Sequence, residues 1–167
     1  MNISTDKIKE LREQSGAGIM ECRNILLETE GDIKKAFQLL KERSLVKAEK
    51  TRNRSASQGL VEAYIHPGGR IGAMVEVNCE TDFVARTDEF KKLAHYIAMQ
   101  VAAMSPQCIA KEEIPEGSDV DPQVCCLLLQ PYIKSPEMTI QALIDETIAK
   151  TGENIKIKRF ARFEIGE

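Results

Sequence analysis

Two glycine-bearing breaks cut the first 43 or so residues into pieces too short to fold alone. Ser15-Gly16-Ala17-Gly18 places two glycines in three residues, which permits a tight turn with positive φ. Gly31-Asp32 supplies a stop followed by a good N-cap. Around these breaks the apolar residues recur every three or four positions: Ile8 and Leu11; then Ile19, Cys22, Ile25 and Leu26; then Ile33, Ala36, Phe37 and Leu40. Each set is the buried stripe of a short amphipathic helix, and Ser4 or Thr5 caps the first. The three helices must therefore pack on one another as a very small module, marginal by itself because small domains bury too little surface.

A charged stretch, Lys41 to Gln58, follows. Its first part allows the third helix to run on, and Thr51-Arg52-Asn53-Arg54-Ser55 reads as a linker, so the boundary is placed near residue 55. The remainder opens with a hairpin: Leu60 to His66, a Pro67-Gly68-Gly69 turn, then Arg70 to Asn78 with Ile71, Ala73, Val75 and Val77 alternating. A loop over 79–86 leads to Thr87, the expected cap of a long helix with Phe90, Leu93, Ala94, Ile97 and Val101 inside; Pro106 stops it. Residues 111–122 read as a solvated loop, 124–129 as a short apolar segment and 130–136 as irregular. Thr139 to Lys150 is another helix, stopped by Gly152. Ile155 to Ile165 is a final strand whose alternation breaks phase: Phe160 falls on the lysine face, whereas Phe163 and Ile165 keep the apolar one. Either a bulge lies near Arg159 or both faces are partly covered. The expected class is α+β: a three-helix module with its charged linker over 1–55, then a core over 56–167 with an antiparallel sheet of about three strands and helices packed on one side.

Composition removes several function classes. Six consecutive residues, Val124 to Leu129, are the longest aliphatic cluster, far short of the roughly 20 needed for a membrane span. The start lacks a basic stretch before an apolar run, so no secretory signal is expected and a cytoplasmic location is the default. Five cysteines (Cys22, Cys79, Cys108, Cys125, Cys126) without a CxxC pair, and only two histidines, make a zinc site an unfavoured reading; no metal is expected, and the thiols read as free and mostly buried. Residues 1–58 carry twelve Lys and Arg against nine Asp and Glu, and the rest carries eleven against seventeen. An acidic majority with few aromatics is not the footprint of a nucleic-acid binder. No phosphate-binding loop or nucleophile set is visible: Pro67-Gly68-Gly69-Arg70-Ile71-Gly72 opens a strand rather than a helix. No cofactor is expected and the chain is not read as an enzyme.

Two segments offer binding chemistry. Thr81-Asp82-Phe83-Val84 joins a strand end to a helix start. Phe83 either plugs the core, with Asp82 in a local turn bond, or stands out as an anchor for a partner. Gly16-Ala17-Gly18-Ile19-Met20 is either a plain helix connection or an apolar docking loop, for which Met is suited.

At these residues the chain resembles the bacterial elongation factor Ts family. The motifs are Ile8 through Cys22, Gly31-Asp32-Ile33-Lys34-Lys35-Ala36, Val75 through Arg86, and Gly152-Glu153-Asn154-Ile155 with Arg159 through Glu164. The four motifs stand in the right order, and the resemblance covers most of the chain, missing mainly 111–124. The resemblance implies a ubiquitin-associated-like module that docks on the GTPase domain of elongation factor Tu, and a core that carries guanine-nucleotide exchange without covalent chemistry. Asp82 and Phe83, flanked by Thr81 and Val84, would reach the partner near its nucleotide, Phe83 as a wedge and Asp82 disturbing the magnesium environment. Ile19, Met20 and His66 are further contacts it suggests. It also implies a long helical insertion, here cut to about a dozen residues, and a homodimer through the single-copy core, for which Phe160 and Cys125 to Leu129 are the candidate surface. The competing readings are a non-catalytic adaptor built on the three-helix module and an RNA-binding ribosome-associated protein using the basic stretch.

Overall fold

A computed structural model describes residues 3–166. The elements follow from local chemistry. Helix α1 (Thr5–Ser15) starts where the Ser4 side chain accepts the Lys7 N–H, and ends at Gly16 in the left-handed region. Helix α2 spans Ile19–Glu28, and α3 spans Ile33–Thr51 behind the Asp32 cap. Leu11, Cys22, Ile25, Leu26, Ala36 and Leu40 are buried together as one small core. Ile19, expected in that stripe, is exposed instead. It is the first residue of α2 after the extended Gly18, one turn before the buried Cys22.

The charged stretch is not a free linker. Most of it is helix, and α3 packs along α7 (Ile140–Thr151). Ala48 of α3 enters the larger core. Beyond it, Arg52 meets both carboxylate oxygens of Asp145 at 3.3 and 3.2 Å, and Asn154 Nδ2 donates to the carbonyls of Arg52 and Arg54 at 3.1 and 2.6 Å. Arg43 pairs with Glu28, and Arg54 with Glu80 at 3.6 Å. Three of the six basic residues in this stretch, Arg43, Arg52 and Arg54, are thus engaged in ion pairs.

The larger core lies under a three-stranded antiparallel sheet in the order β1 (Gln58–Ile65), β2 (Ile71–Cys79), β5 (Lys156–Glu164). Helices α4 (Asp82–Ala85) and α5 (Asp88–Met104) pack on one face, with Phe90, Leu93, Ile97 and Val101 meeting Val75 and Val77. Between α5 and α7 come an exposed acidic segment, the one-turn helix α6 (Pro122–Cys125) and a small hairpin of β3 (Pro131–Tyr132) and β4 (Ser135–Thr139). That hairpin replaces the irregular stretch expected at 130–136. It is held by Gln100, buried in α5, which donates to Gln130 and Pro131 and accepts the Ile133 N–H.

Strand β5 resolves its phase problem with a bulge. Glu76 faces Arg159 while Val77 faces Ile157, so Lys158 is the extra residue. Ile157 points inward before the bulge and Phe160 after it. Phe163 and Ile165, expected on the apolar inner face, therefore turn outward and are exposed. Phe160 and Cys125 to Leu127 lie against or within the core and Leu128 packs on it, so they do not form the open surface expected of them.

Candidate functional site

The candidate site begins at the end of β2. Thr81 is extended and caps α4, its hydroxyl accepting the Val84 N–H at 3.4 Å. The cap is held from outside by Glu153, just past α7. One carboxylate oxygen accepts the backbone N–H groups of Glu80 and Thr81 at 3.1 and 3.0 Å, and the other accepts the Thr81 hydroxyl at 2.6 Å. In return, Glu80 accepts the Asn154 N–H at 2.7 Å. Two chain segments more than seventy residues apart are locked by four reciprocal bonds. The Cys79 thiol adds a bond to the Thr81 carbonyl at 3.1 Å, and burial raises its pKa, so it stays a neutral donor.

Within α4 the side chains divide. Ala85 is buried and Val84 packs against the core. Phe83 is 77% exposed, the highest value among the large apolar residues described. That removes the core-plug reading of Phe83: its ring stands in solvent on a fixed turn. Asp82 forms an i,i+4 pair with Arg86 at 2.6 Å, and both are substantially exposed. The turn bond goes to Thr81 rather than Asp82. The next cap, Thr87, follows at once and fixes the far end of α4 to α5.

The weaker candidates fall in two places. Ile19 and Met20 are 54% and 62% exposed at the start of α2. Their turn lies on the same end of the molecule as Phe83. The aliphatic end of Lys150 on α7 sits where a Cβ on Gly16 would come within 2.7 Å, and its Nζ reaches Glu89 in the first turn of α5 at 3.3 Å. His66 lies elsewhere. It closes the β1–β2 turn, its N–H donating to the Ile71 carbonyl and its Nδ1 lying 3.1 Å from the Tyr64 hydroxyl. The register sets Gln58 against Cys79 at one end and Ile65 against Gly72 at the other. Seven residue steps at strand rise therefore put roughly 23 Å between His66 and the Thr81 segment.

Sequence reasoning assigned no role to Glu153 and Asn154. Their only signal was membership of the Gly152-Glu153-Asn154-Ile155 motif. It read Cys108, Cys125 and Cys126 only as free, mostly buried thiols; their sulfur atoms lie within 4.8 Å of one another. Burial pushes the Cys126 thiol up to about 12 and raises Cys108 as well.

Residues 5–119 match the family described as elongation factor Ts. The chain belongs to the elongation factor Ts family. It is 48% identical to elongation factor Ts of Heliobacterium modesticaldum over 195 aligned positions, covering 99% of this chain and 91% of that protein. It is 48% identical to elongation factor Ts of Caldanaerobacter subterraneus over 195 positions, covering 99% and 98%. With elongation factor Ts of Coprothermobacter proteolyticus it shares 44% identity over 197 positions that take in all of both chains. Since this chain has 167 residues, that alignment leaves about thirty positions without a counterpart here. The family is one of translation elongation factors, and among the described residues no helix is long and apolar enough to cross a membrane.

Proposed function

We propose that the chain is a guanine-nucleotide exchange factor that binds elongation factor Tu carrying GDP and promotes GDP release, working in the cytoplasm without covalent chemistry or a cofactor. The observation that carries this reading is an aromatic ring held almost wholly in solvent on a turn pinned at both ends. A rigid anchor loses little entropy on docking, and exposed aromatics on fixed loops are the usual hot spots. Phe83 wedges between partner helices, and Val84 and Thr81 hold it there. Asp82, whose present partner Arg86 is exposed, is free to exchange that contact for one near the partner's magnesium ion. Weakening the ion's hold removes charge that neutralises the phosphates, so GDP leaves. By linkage the nucleotide-loaded partner must in turn bind the factor more weakly, which lets GTP expel it. Residues 1–55, with Ile19 and Met20 on the same end as Phe83, dock on the GTPase domain; residues 56–167 carry the exchange. His66, at the far end of the hairpin, suits a second contact.

Release of a fluorescent GDP from elongation factor Tu at fixed magnesium tests this. The parent chain accelerates release, and Phe83→Ala lowers the acceleration by about thirtyfold, the equivalent of roughly 2 kcal/mol at an aromatic anchor. Binding without acceleration by the parent chain would refute exchange and leave the adaptor reading.

We also infer that the homodimer the family resemblance implies forms on the open face of the sheet, where a second copy of the chain covers it. Val61, Ile65, Met74 and Phe163 alternate outward from the core-facing residues, and all are exposed. One such face on each of two copies forms a self-complementary contact.

A further inference from the structure

We propose that Cys108, Cys125 and Cys126 form a thiolate site for a soft, three-coordinate cation of the monovalent copper type. Cys126 Sγ lies 3.2 Å from Cys108 Sγ and 3.8 Å from Cys125 Sγ, and all three sulfurs fall within 4.8 Å of one another. Three sulfurs about 2.3 Å from a central ion, the usual metal–thiolate length, stand about 4 Å apart in a trigonal plane. The two shorter spacings fall below that value by roughly 0.2–0.8 Å, so side-chain rotations that spread the sulfurs slightly seat an ion.

The scaffold is built rather than incidental. Cys108 and Cys126 face each other across a parallel bridge, and Gln107 N and Cys108 N both donate to the Cys125 carbonyl, at 2.8 and 3.2 Å. Leu127 N and Leu128 N donate back to Cys108 and Ile109, at 2.9 and 3.0 Å. These bonds hold two segments in register on either side of the exposed 111–121 stretch. Cys125 and Cys126 are buried and Cys108 is half-buried, which leaves one side for entry.

The donor set selects the ion. Among the described residues no histidine, aspartate or glutamate joins the three sulfurs. Structural zinc takes four ligands almost without exception, whereas an all-thiolate set suits soft ions such as Cu(I). Each thiol passes its proton to solvent as its metal–sulfur bond forms, and the copper stays monovalent throughout. The bound ion staples the acidic segment to the end of α5.

The test is anaerobic titration of the reduced full-length chain with Cu(I) buffered by a competing chelator, with Zn(II) run in parallel. We expect one Cu(I) per chain, thiolate-to-copper absorption in the ultraviolet, and Cu(I) held more tightly than Zn(II). Cys126→Ser should weaken binding by more than about a hundredfold, beyond what loss of a merely supporting contact causes. Because Cys126 is fully buried, Cys108→Ser at the half-buried position provides the same readout with less risk to folding, and Cys22→Ser, in the small N-terminal core, should bind as the parent does. Proteolytic cleavage within 111–121 should slow at least tenfold with Cu(I) in the parent and not in Cys108→Ser. Absence of uptake, uptake that survives both cluster substitutions, tighter zinc than copper, or a Cys108–Cys126 disulfide as the only thiol chemistry observed would each overturn the proposal.

Discussion

Glu153→Ala separates the stability of the Thr81–Val84 turn from its use. The carboxylate accepts three bonds, from the Glu80 and Thr81 N–H groups and the Thr81 hydroxyl. Bonds to a charged acceptor contribute about 1.5–3 kcal/mol each when well shielded. These are part-buried, so water replaces some of that, and about 1 kcal/mol each gives a loss of roughly 2–3 kcal/mol. Glu153→Gln keeps the shape and one acceptor oxygen but loses the charge, and neutral bonds are about half as strong; its loss should be about 1 kcal/mol. Urea unfolding measures both as a shift in midpoint at unchanged slope. The consequence for exchange follows from entropy. Once released, the four residues of α4 must be ordered again as Phe83 docks, at no more than about 1–2 kcal/mol per residue. Partial loosening therefore lowers the acceleration of GDP release by about tenfold to a hundredfold in the alanine variant and only a few-fold in the glutamine variant. If Glu153→Ala destabilises the chain as stated yet accelerates release as well as the parent does, rigid presentation of Phe83 is not what drives exchange.

Alkaline stability should depend on Tyr132, whose hydroxyl burial raises its pKa from the ordinary 10 to about 12. The stabilisation is complete below pH 10 and disappears as pH rises from 10 towards 12, where the unfolded chain sheds the proton first; the loss is about 2 kcal/mol, and Tyr132→Phe should flatten that part of a chemical-denaturation profile relative to the parent. Gly59→Ala should cost more than about 2 kcal/mol, seen as a lower melting temperature, because Gly59 has φ +147° and a Cβ there would lie 2.1 Å from the Val77 carbonyl oxygen. Phe163→Asp should leave monomer stability within about 0.5 kcal/mol but abolish the dimer in sedimentation; a dimer that persists would place the contact away from the open face.

What could be read along the chain was what local chemistry decides. The caps Asp32 and Thr87 and the stops Gly16 and Gly152 each act within one turn, and the structure has helix ends at all four; Thr139, read as the first residue of its helix, caps it instead. The β1–β2 hairpin was equally legible, since its turn is contiguous. The β3–β4 hairpin was not, because its two-residue strand has too few positions for alternation to register, and its holder Gln100 lies thirty residues upstream. Phe83 could be named but not placed, since exposure depends on what else fills the gap between sheet and helix, and Val84 and Ala85 fill it. Ile19 was misplaced because periodicity extends a stripe through a helix end, where the neighbouring helices no longer reach. The contribution of Glu153 to the cap, and the meeting of Cys108 with Cys126, depend on contacts between distant segments and left no periodic trace.

The bulge at Lys158 makes chain length, rather than residue identity, the variable that decides which side of the last strand is sticky. Upstream of it odd-numbered residues face the core; downstream even-numbered ones do, with Phe160 inside and Phe163 outside. Deleting Lys158 itself would only straighten the strand, whereas drawing it into the regular ladder would exchange the two rings and carry Arg162, which reaches the Ala102 carbonyl at 3.1 Å, out of the interior. Substitutions along β5 change the outer face one side chain at a time, but a one-residue insertion or deletion in the regular part of the strand beyond the bulge inverts whatever follows it. Lys158 is thus the one position in β5 where the strand can lose a residue and keep the same side chains against the core.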